Sequence, residues 1–236
     1  MMRALIVDDE IYAREEMESL LRETGEFIVC GKCANALEAI KAIRQERPDV
    51  LFLDIQMPVI NGFELLGMID AQSMPDVVFV TAFDAYALKA FDENAQDYLL
   101  KPVEKERLAK TVEKLKKRNA DGSKPVFTGP DIHKIPCIHA SKIKLINIAD
   151  VEFVRSGEAG VHVICHKGEF YTDLTLQVLE NKTKLVRCHK QILINLDLVD
   201  EIILRENLAA DAKTKSGRLV PVSRRYLKIL REKLLF

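Results

Sequence analysis

The sequence predicts two domains of different class: a doubly wound α/β domain with a five-stranded parallel sheet, then a smaller, mostly β domain. Three observations carry this. Over the first half, short apolar runs alternate with helical patterns five times. Beyond a Gly/Pro/Ser-punctuated stretch that rhythm stops and short β-rich runs replace it. The charge also changes sign, with 16 Lys+Arg against 22 Asp+Glu over residues 1–118 and 19 against 14 over residues 119–236. A chain of 236 residues accommodates two ordinary domains, and such a split suggests different partners for each.

In the first half, Ala4 to Val7 is an apolar run ending in Asp8, Asp9 and Glu10, and Tyr12 to Arg22 has helical periodicity. Phe27 to Lys32 reads as a strand and Leu37 to Gln45 as a helix. Val50 to Leu53 is a strand ending in Asp54, followed by a helix over Phe63 to Ile69. Val77 to Thr81 is a fourth strand, with a helix over Tyr86 to Phe91. Tyr98 to Leu100 is a fifth, followed by an amphipathic helix from Val103 to Arg118. Alternating strands and helices build a parallel sheet covered on both faces, which is why the strands are continuously apolar.

Residues 119–133 read as a linker and 134–236 as the second domain. Strands are predicted at Lys142 to Ile148, Val151 to Val154, Val161 to Cys165, Glu169 to Thr172, Leu193 to Leu196 and Glu201 to Leu204. A further hairpin flanks Ser216-Gly217, with helices over Leu174 to Asn181 and Arg224 to Leu235. The absence of a βαβ rhythm makes this sheet antiparallel.

No apolar run approaches the ~20 residues that span a bilayer. The first nine residues turn acidic, unlike a signal peptide. A cytoplasmic protein without membrane insertion is expected. Five irregularly spaced cysteines are no disulfide framework. Cys30 and Cys33 form a C-x-x-C on a strand with no second pair, and alternation sets Cys165 opposite His162 and His166. Buried thiols are the expectation.

In an open parallel sheet, sites form at the carboxyl ends of strands. Those ends here carry Asp8 and Asp9, Asp54, Thr81 and Lys101. Clustered carboxylates repel one another unless a cation binds, and oxygen ligands suit Mg²⁺. A carboxylate can also be a nucleophile toward a phosphoryl group, with a lysine and a hydroxyl to meet the phosphoryl oxygens. A cis Lys101-Pro102 bond would aim the lysine over the sheet. Ordinary surface ion pairs would explain any one of these residues, but hardly all five in order.

The segments L-I-V-D-D-E, D-V-L-F-L-D-I-Q-M-P-x-x-N-G, F-V-T-A-F and D-Y-L-L-K-P resemble, as an ordered set, the receiver domain of two-component response regulators. The resemblance covers residues 1–118. It implies Asp54 as phosphoacceptor, Asp9, Asp54 and the Gln56 backbone carbonyl as direct Mg²⁺ ligands, and Asp8 as a ligand through water. Thr81 and Lys101 become the phosphoryl-sensing pair, and Tyr98 takes the place of an aromatic switch, although a half-buried structural tyrosine would read the same. A phosphohydrolase that forms an aspartyl phosphate is the rival. Such enzymes place D-x-D after the first strand, where this chain has adjacent Asp8-Asp9.

Basic residues gather over Lys182 to Lys190 and again over Lys213 to Arg225. Lys and Arg can contact phosphates, and Arg or Gln can read base edges. The segments L-V-R-C-H-K-Q-I-L-I-N-L and R-L-V-P-V-S-R-R-Y-L-K are similar to the LytTR DNA-binding domain of the LytR/AlgR family. That likeness implies base contacts from Lys190 and Arg224, with Arg187, His189, Gln191 and Arg225 alongside, and a third contact from the Ser156 to Gly160 loop. Ala159-Gly160 departs from the polar or aromatic residue common there. Together the resemblances imply a transcription factor, not an enzyme. Its partners would be a membrane-bound sensor histidine kinase and promoter DNA. Phosphorylation would bring a homodimer through the fourth and fifth helices and the fifth strand. A receiver-controlled module for protein or RNA is the remaining alternative.

Overall fold

The computed structural model describes residues 1–83, 95–121, 130–139, 142–205 and 210–234. The helix expected over Tyr86 to Phe91, and with it part of the expected dimer face, lies outside the described residues. The chain divides into two compact units, Met1–Pro130 and Asp131–Phe236.

In the first unit, strands β1 (Met2–Val7), β2 (Phe27–Cys33), β3 (Val50–Leu53), β4 (Asp76–Thr81) and β5 (Asp97–Leu100) form a parallel sheet in the order β2-β1-β3-β4-β5. Alternate residues of the central strands face opposite layers. Ala4, Ile6, Phe52, Val78 and Val80 pack in one core with Met17 and Leu21 of helix α1 (Ile11–Thr24). Leu108, Val112 and Leu115 join them from helix α4 (Lys105–Asp121). Leu5, Val7, Leu51, Leu53 and Phe79 are also fully buried. The Phe79 ring lies 4.8 Å from that of Phe63.

Helix α2 (Ala36–Glu46) starts at Asn35, whose side chain accepts from the Glu38 amide. Helix α3 (Gly62–Gly67) starts at a capping box between Asn61 and Glu64. Helix α4 runs three residues beyond the predicted end at Arg118, because neither Gly nor Pro interrupts the chain before Gly122.

Helix α4 is fastened to the far end of the sheet from the acidic edge. Asp97, fully buried as a side chain, accepts from Arg107, from Thr111 Oγ1 at 2.7 Å and from Lys114 at 2.9 Å. Burial pushes its carboxyl up, but these donors outweigh it and hold it well below the usual carboxylate range.

The second unit holds an antiparallel seven-stranded sheet in the order β11-β12-β8-β9-β10-β6-β7. These are β6 (Lys134–His139), β7 (Lys142–Asn147), β8 (Val151–Gly157), β9 (Gly160–Cys165), β10 (Gly168–Thr172), β11 (Val186–His189) and β12 (Ile192–Ile194). Helix α5 (Leu176–Lys182) lies between β10 and β11 in sequence. A second sheet comprises β13 (Val199–Leu204), β14 (Ala210–Thr214) and β15 (Leu219–Val222), followed by helix α6 (Arg224–Leu234).

Strands β6 and β11 escape the sequence reading. Pro136 interrupts β6 as a donor, yet its carbonyl accepts from Thr172 Oγ1 at 2.7 Å. Cys188, Ile194, Ala212, Val220, Leu227 and Leu230 share one core, which joins the β11–β12 hairpin to the smaller sheet and α6. Buried Glu152 links β8 to the β14–β15 turn by accepting from Thr214 Oγ1 at 2.8 Å and Ser216 Oγ at 2.6 Å.

Candidate functional site

The parallel sheet brings the predicted acidic residues together. The Asp54 amide donates to the Val7 carbonyl at 2.8 Å, so the strand ends carrying Asp8 and Asp54 are tied side by side. Ligand oxygens of Asp8, Asp9 and Asp54 all lie within 4.8 Å of one another. Asp8 and Asp54 are buried while Asp9 is exposed. The Gln56 amide donates to Asp54 Oδ1 at 3.2 Å, and Arg14 Nη1 holds the Asp8 carbonyl at 2.6 Å.

Lys101 completes the cluster. Its Nζ is 2.6 Å from Asp8 Oδ2 and 3.1 Å from Asp54 Oδ2, with Glu10 Oε2 farther away at 3.9 Å. The Lys101-Pro102 bond is cis. Burial favours the neutral amine, but the hydrogen bond to Asp8 and the charge of Asp54 outweigh it and raise the Lys101 pKa. Burial also pushes the Asp8 carboxyl up, against the opposing pull of Lys101.

Thr81 is fully buried at the end of β4, and its hydroxyl has no hydrogen-bond partner among the described residues. A buried hydroxyl left unsatisfied is costly and points to a ligand oxygen as its partner. Three carboxylates, one of them exposed, also suit Mg²⁺, a hard cation that takes oxygen ligands and keeps several waters. Tyr98 is buried, and its hydroxyl donates to the Phe83 carbonyl.

Two contributors were not singled out from sequence. Gly62 packs on the acidic loop so closely that a Cβ there would lie 2.5 Å from the Asp54 carbonyl oxygen. The N-G pair in the motif was its only signal. Glu10 adds a third carboxylate near Lys101.

In the second unit the predicted basic residues separate into two groups. The Lys190-Gln191 turn joins β11 to β12, and Arg224 and Arg225 open α6. The Ser223 amide donates to the Cys188 carbonyl at 3.0 Å, which brings the two segments together. The Ser156 amide donates to the Gln191 carbonyl at 2.9 Å, which adds the β8–β9 loop. Lys190, Gln191, Arg224 and Arg225 are exposed there, and His189 is half-buried with Nδ1 accepting from the Gln191 amide at 3.3 Å.

Other basic residues are engaged within the protein. Arg187 Nε lies 2.6 Å from Glu180 Oε2, and its Nη1 donates to the Lys190 carbonyl at 2.9 Å. Lys184 pairs with Asp197, and Lys213 with Glu201 at 3.3 Å. Arg218 Nη1 donates to the Cys165 carbonyl at 3.0 Å. In the β8–β9 loop Gly160 has φ 106° and faces the Tyr171 ring, which a Cβ would strike at 2.6 Å. This explains why a larger residue is missing there. Cys33, Cys137 and Cys188 are buried, and burial pushes each thiol up to about 12.

Comparison with known proteins identifies both domains. Residues 4–113 match the response regulator receiver domain family, and residues 141–235 match the LytTr DNA-binding domain family. A response regulatory protein of Vibrio cholerae is 52% identical over 236 residues, spanning 100% of both chains. The chain belongs to the two-component response regulators that join a receiver to a LytTR domain. The transcriptional regulatory protein BtsR of Escherichia coli K12 is 48% identical to this regulator over 235 residues, covering 98% of each. Among solved structures, the response regulatory domain of mrkE from Klebsiella pneumoniae is 29% identical over 51% of this chain and 99% of that one, with a TM-score of 0.46. A LytTr DNA-binding domain from Bacillus cereus is 18% identical over 44% of this chain and 99% of that one, with a TM-score of 0.42. The regulator is thus a DNA-binding transcription regulator with a two-component input. No helix among the described residues is long and apolar enough to cross a membrane.

Proposed function

We propose that Asp54 accepts a phosphoryl group from a sensor histidine kinase and that this modification controls DNA binding by the second domain. The observation that carries the reading is the juxtaposition of three carboxylates whose ligand oxygens lie within 4.8 Å of one another, a lysine bonded to two of them, and a buried hydroxyl without a partner among the described residues. Asp8, Asp9, Asp54 and the Gln56 carbonyl would hold Mg²⁺, which supplies charge neutralisation for an anionic phosphoryl donor. An Asp54 carboxylate oxygen attacks phosphorus in line as the bond from phosphorus to the kinase histidine nitrogen breaks. Lys101 then exchanges its contact with Asp54 for a phosphoryl oxygen, and the Thr81 hydroxyl donates to another.

That exchange biases a two-state equilibrium. Tyr98, whose hydroxyl donates to the Phe83 carbonyl two residues beyond Thr81, would be the residue that follows Thr81. Exposed apolar Ile11, Tyr12, Val59, Phe83 and Leu100 all stand in segments next to the acidic edge, and suit docking of a kinase. The phosphorylated regulator dimerises, and two C-terminal domains engage paired half-sites from the cytoplasm. Lys190 and Arg224 read bases, with His189, Gln191 and Arg225 beside them.

The test is labelling by acetyl phosphate with Mg²⁺, located by mass spectrometry. The regulator takes one phosphoryl group on Asp54, and Asp54→Ala takes none while its melting curve shows an intact fold. Undiminished labelling of that variant would defeat the assignment.

A further inference from the structure

The guanidinium of Arg187 is spent inside the domain. Nε and Nη2 each lie 2.6 Å from Glu180 Oε2, and Nη1 donates to the Lys190 carbonyl at 2.9 Å. Its side chain is only 16% exposed. The arginine thus spans from the end of α5 to the two-residue turn between β11 and β12. Three further hydrogen bonds hold that turn. The Gln191 amide donates to His189 Nδ1, the Gln191 carbonyl accepts from Ser156, and the Cys188 carbonyl accepts from Ser223. Strand β11 also shifts register between Arg187 and His189, so regular pairing does not set the turn by itself.

We infer that Arg187 and Glu180 form a positioning pair that presents Lys190 to DNA, and that Arg187 is not itself a phosphate contact. The inference rests on the reading of the Lys190 turn as a base-contacting element. A flexible lysine discriminates between bases only when its backbone is held, since a loose turn spends binding energy on ordering. Glu180 gives the idea a distinctive sign. An acid beside DNA repels phosphates, so a merely electrostatic Glu180 would weaken binding, and its removal would tighten it on every sequence. A positioning Glu180 does the reverse on the preferred sequence alone.

The experiment uses the full chain. A duplex is selected from a random pool by the parent protein, and binding to it and to a scrambled duplex is measured over a range of salt. Arg187→Ala and Glu180→Gln are each expected to lose on the order of tenfold on the selected duplex and little on the scrambled one. The double variant is expected to lose no more than the worse single one. The salt slope stays that of the parent, whereas loss of a phosphate contact lowers it by about one. Arg187→Lys, which cannot fork between Glu180 and Lys190, should rescue little.

A reduced slope in Arg187→Ala, with tighter binding to both duplexes in Glu180→Gln, would show a phosphate contact and overturn the inference. If Arg187→Ala does not fold, Glu180→Gln alone decides by its sign. If Lys190→Ala keeps full preference for the selected duplex, the contact reading itself has failed and the positioning role falls with it. If Lys190→Ala loses preference while Arg187→Ala and Glu180→Gln keep it, only the positioning role is wrong.

Discussion

Replacing Lys101 by methionine removes the ammonium from two buried carboxylates and keeps the apolar stem. The side chains of Asp8 and Asp54 are only 6% and 9% exposed, at 2.6 and 3.1 Å from Nζ. At an effective dielectric of about 20, one contact near 3 Å is worth roughly 5 kcal/mol before desolvation is counted. Desolvation and the partial exposure of Lys101 reduce this, so the metal-free variant should lose about 2–3 kcal/mol. In a domain of this size that lowers the melting temperature of its transition by roughly 10 °C. Mg²⁺ should restore most of the loss, because a ligand at a hundred times its Kd adds about 2.7 kcal/mol. Its apparent affinity should also rise by on the order of tenfold once no ammonium competes for the carboxylates. Calorimetry with and without EDTA, followed by Mg²⁺ titration, reads all three effects. A metal-free variant that melts with the parent, or equal stabilisation of both proteins by Mg²⁺, would refute the reasoning.

Gly62→Ala drives a Cβ to 2.5 Å from the Asp54 backbone oxygen, so it should cost about 1–3 kcal/mol and slow acetyl phosphate labelling; denaturant unfolding and a labelling time course check it. Asp97→Asn should cost about 2 kcal/mol at pH 7, by chemical denaturation, since it breaks a buried charged network. The Asp97 carboxyl is depressed in the folded state, so its stabilisation is complete above the unfolded value near about 4 and fades as pH falls below it. The gap between parent and variant should therefore close in acid and stay constant from pH 5 to 8. Arg224→Ala should lose about 1–3 kcal/mol on a selected duplex and relax its sequence preference, measured by fluorescence anisotropy. Unchanged preference would remove Arg224 from the interface.

The acidic site was legible because its signals are local. Strands β1 and β3 close on the apolar runs Ala4 to Val7 and Val50 to Leu53, each followed by an acid, and parallel pairing sets those ends side by side. The order of the sheet, β2-β1-β3-β4-β5, does not follow from that alternation and comes only with the structure. Less was legible where partners are distant in sequence. Pro136 hid β6, which is held by pairing to β7 and by Thr172 rather than by its own pattern. Strand β11 lay within a basic run, so Arg187 looked like its exposed neighbour Lys190. Only the fold reveals that Glu180 claims it. Nor did the basic run show that Lys213 pairs with Glu201 or that Arg218 donates to the Cys165 carbonyl.

The most direct test of Asp54 as the input to the DNA-binding domain is one titration. A selected duplex is titrated with the regulator and with Asp54→Ala, each with and without acetyl phosphate and Mg²⁺. The account predicts that acetyl phosphate tightens binding by the parent, with two chains per duplex, and leaves Asp54→Ala unchanged. The same gain in Asp54→Ala, or no gain in a parent shown to be phosphorylated, would contradict it.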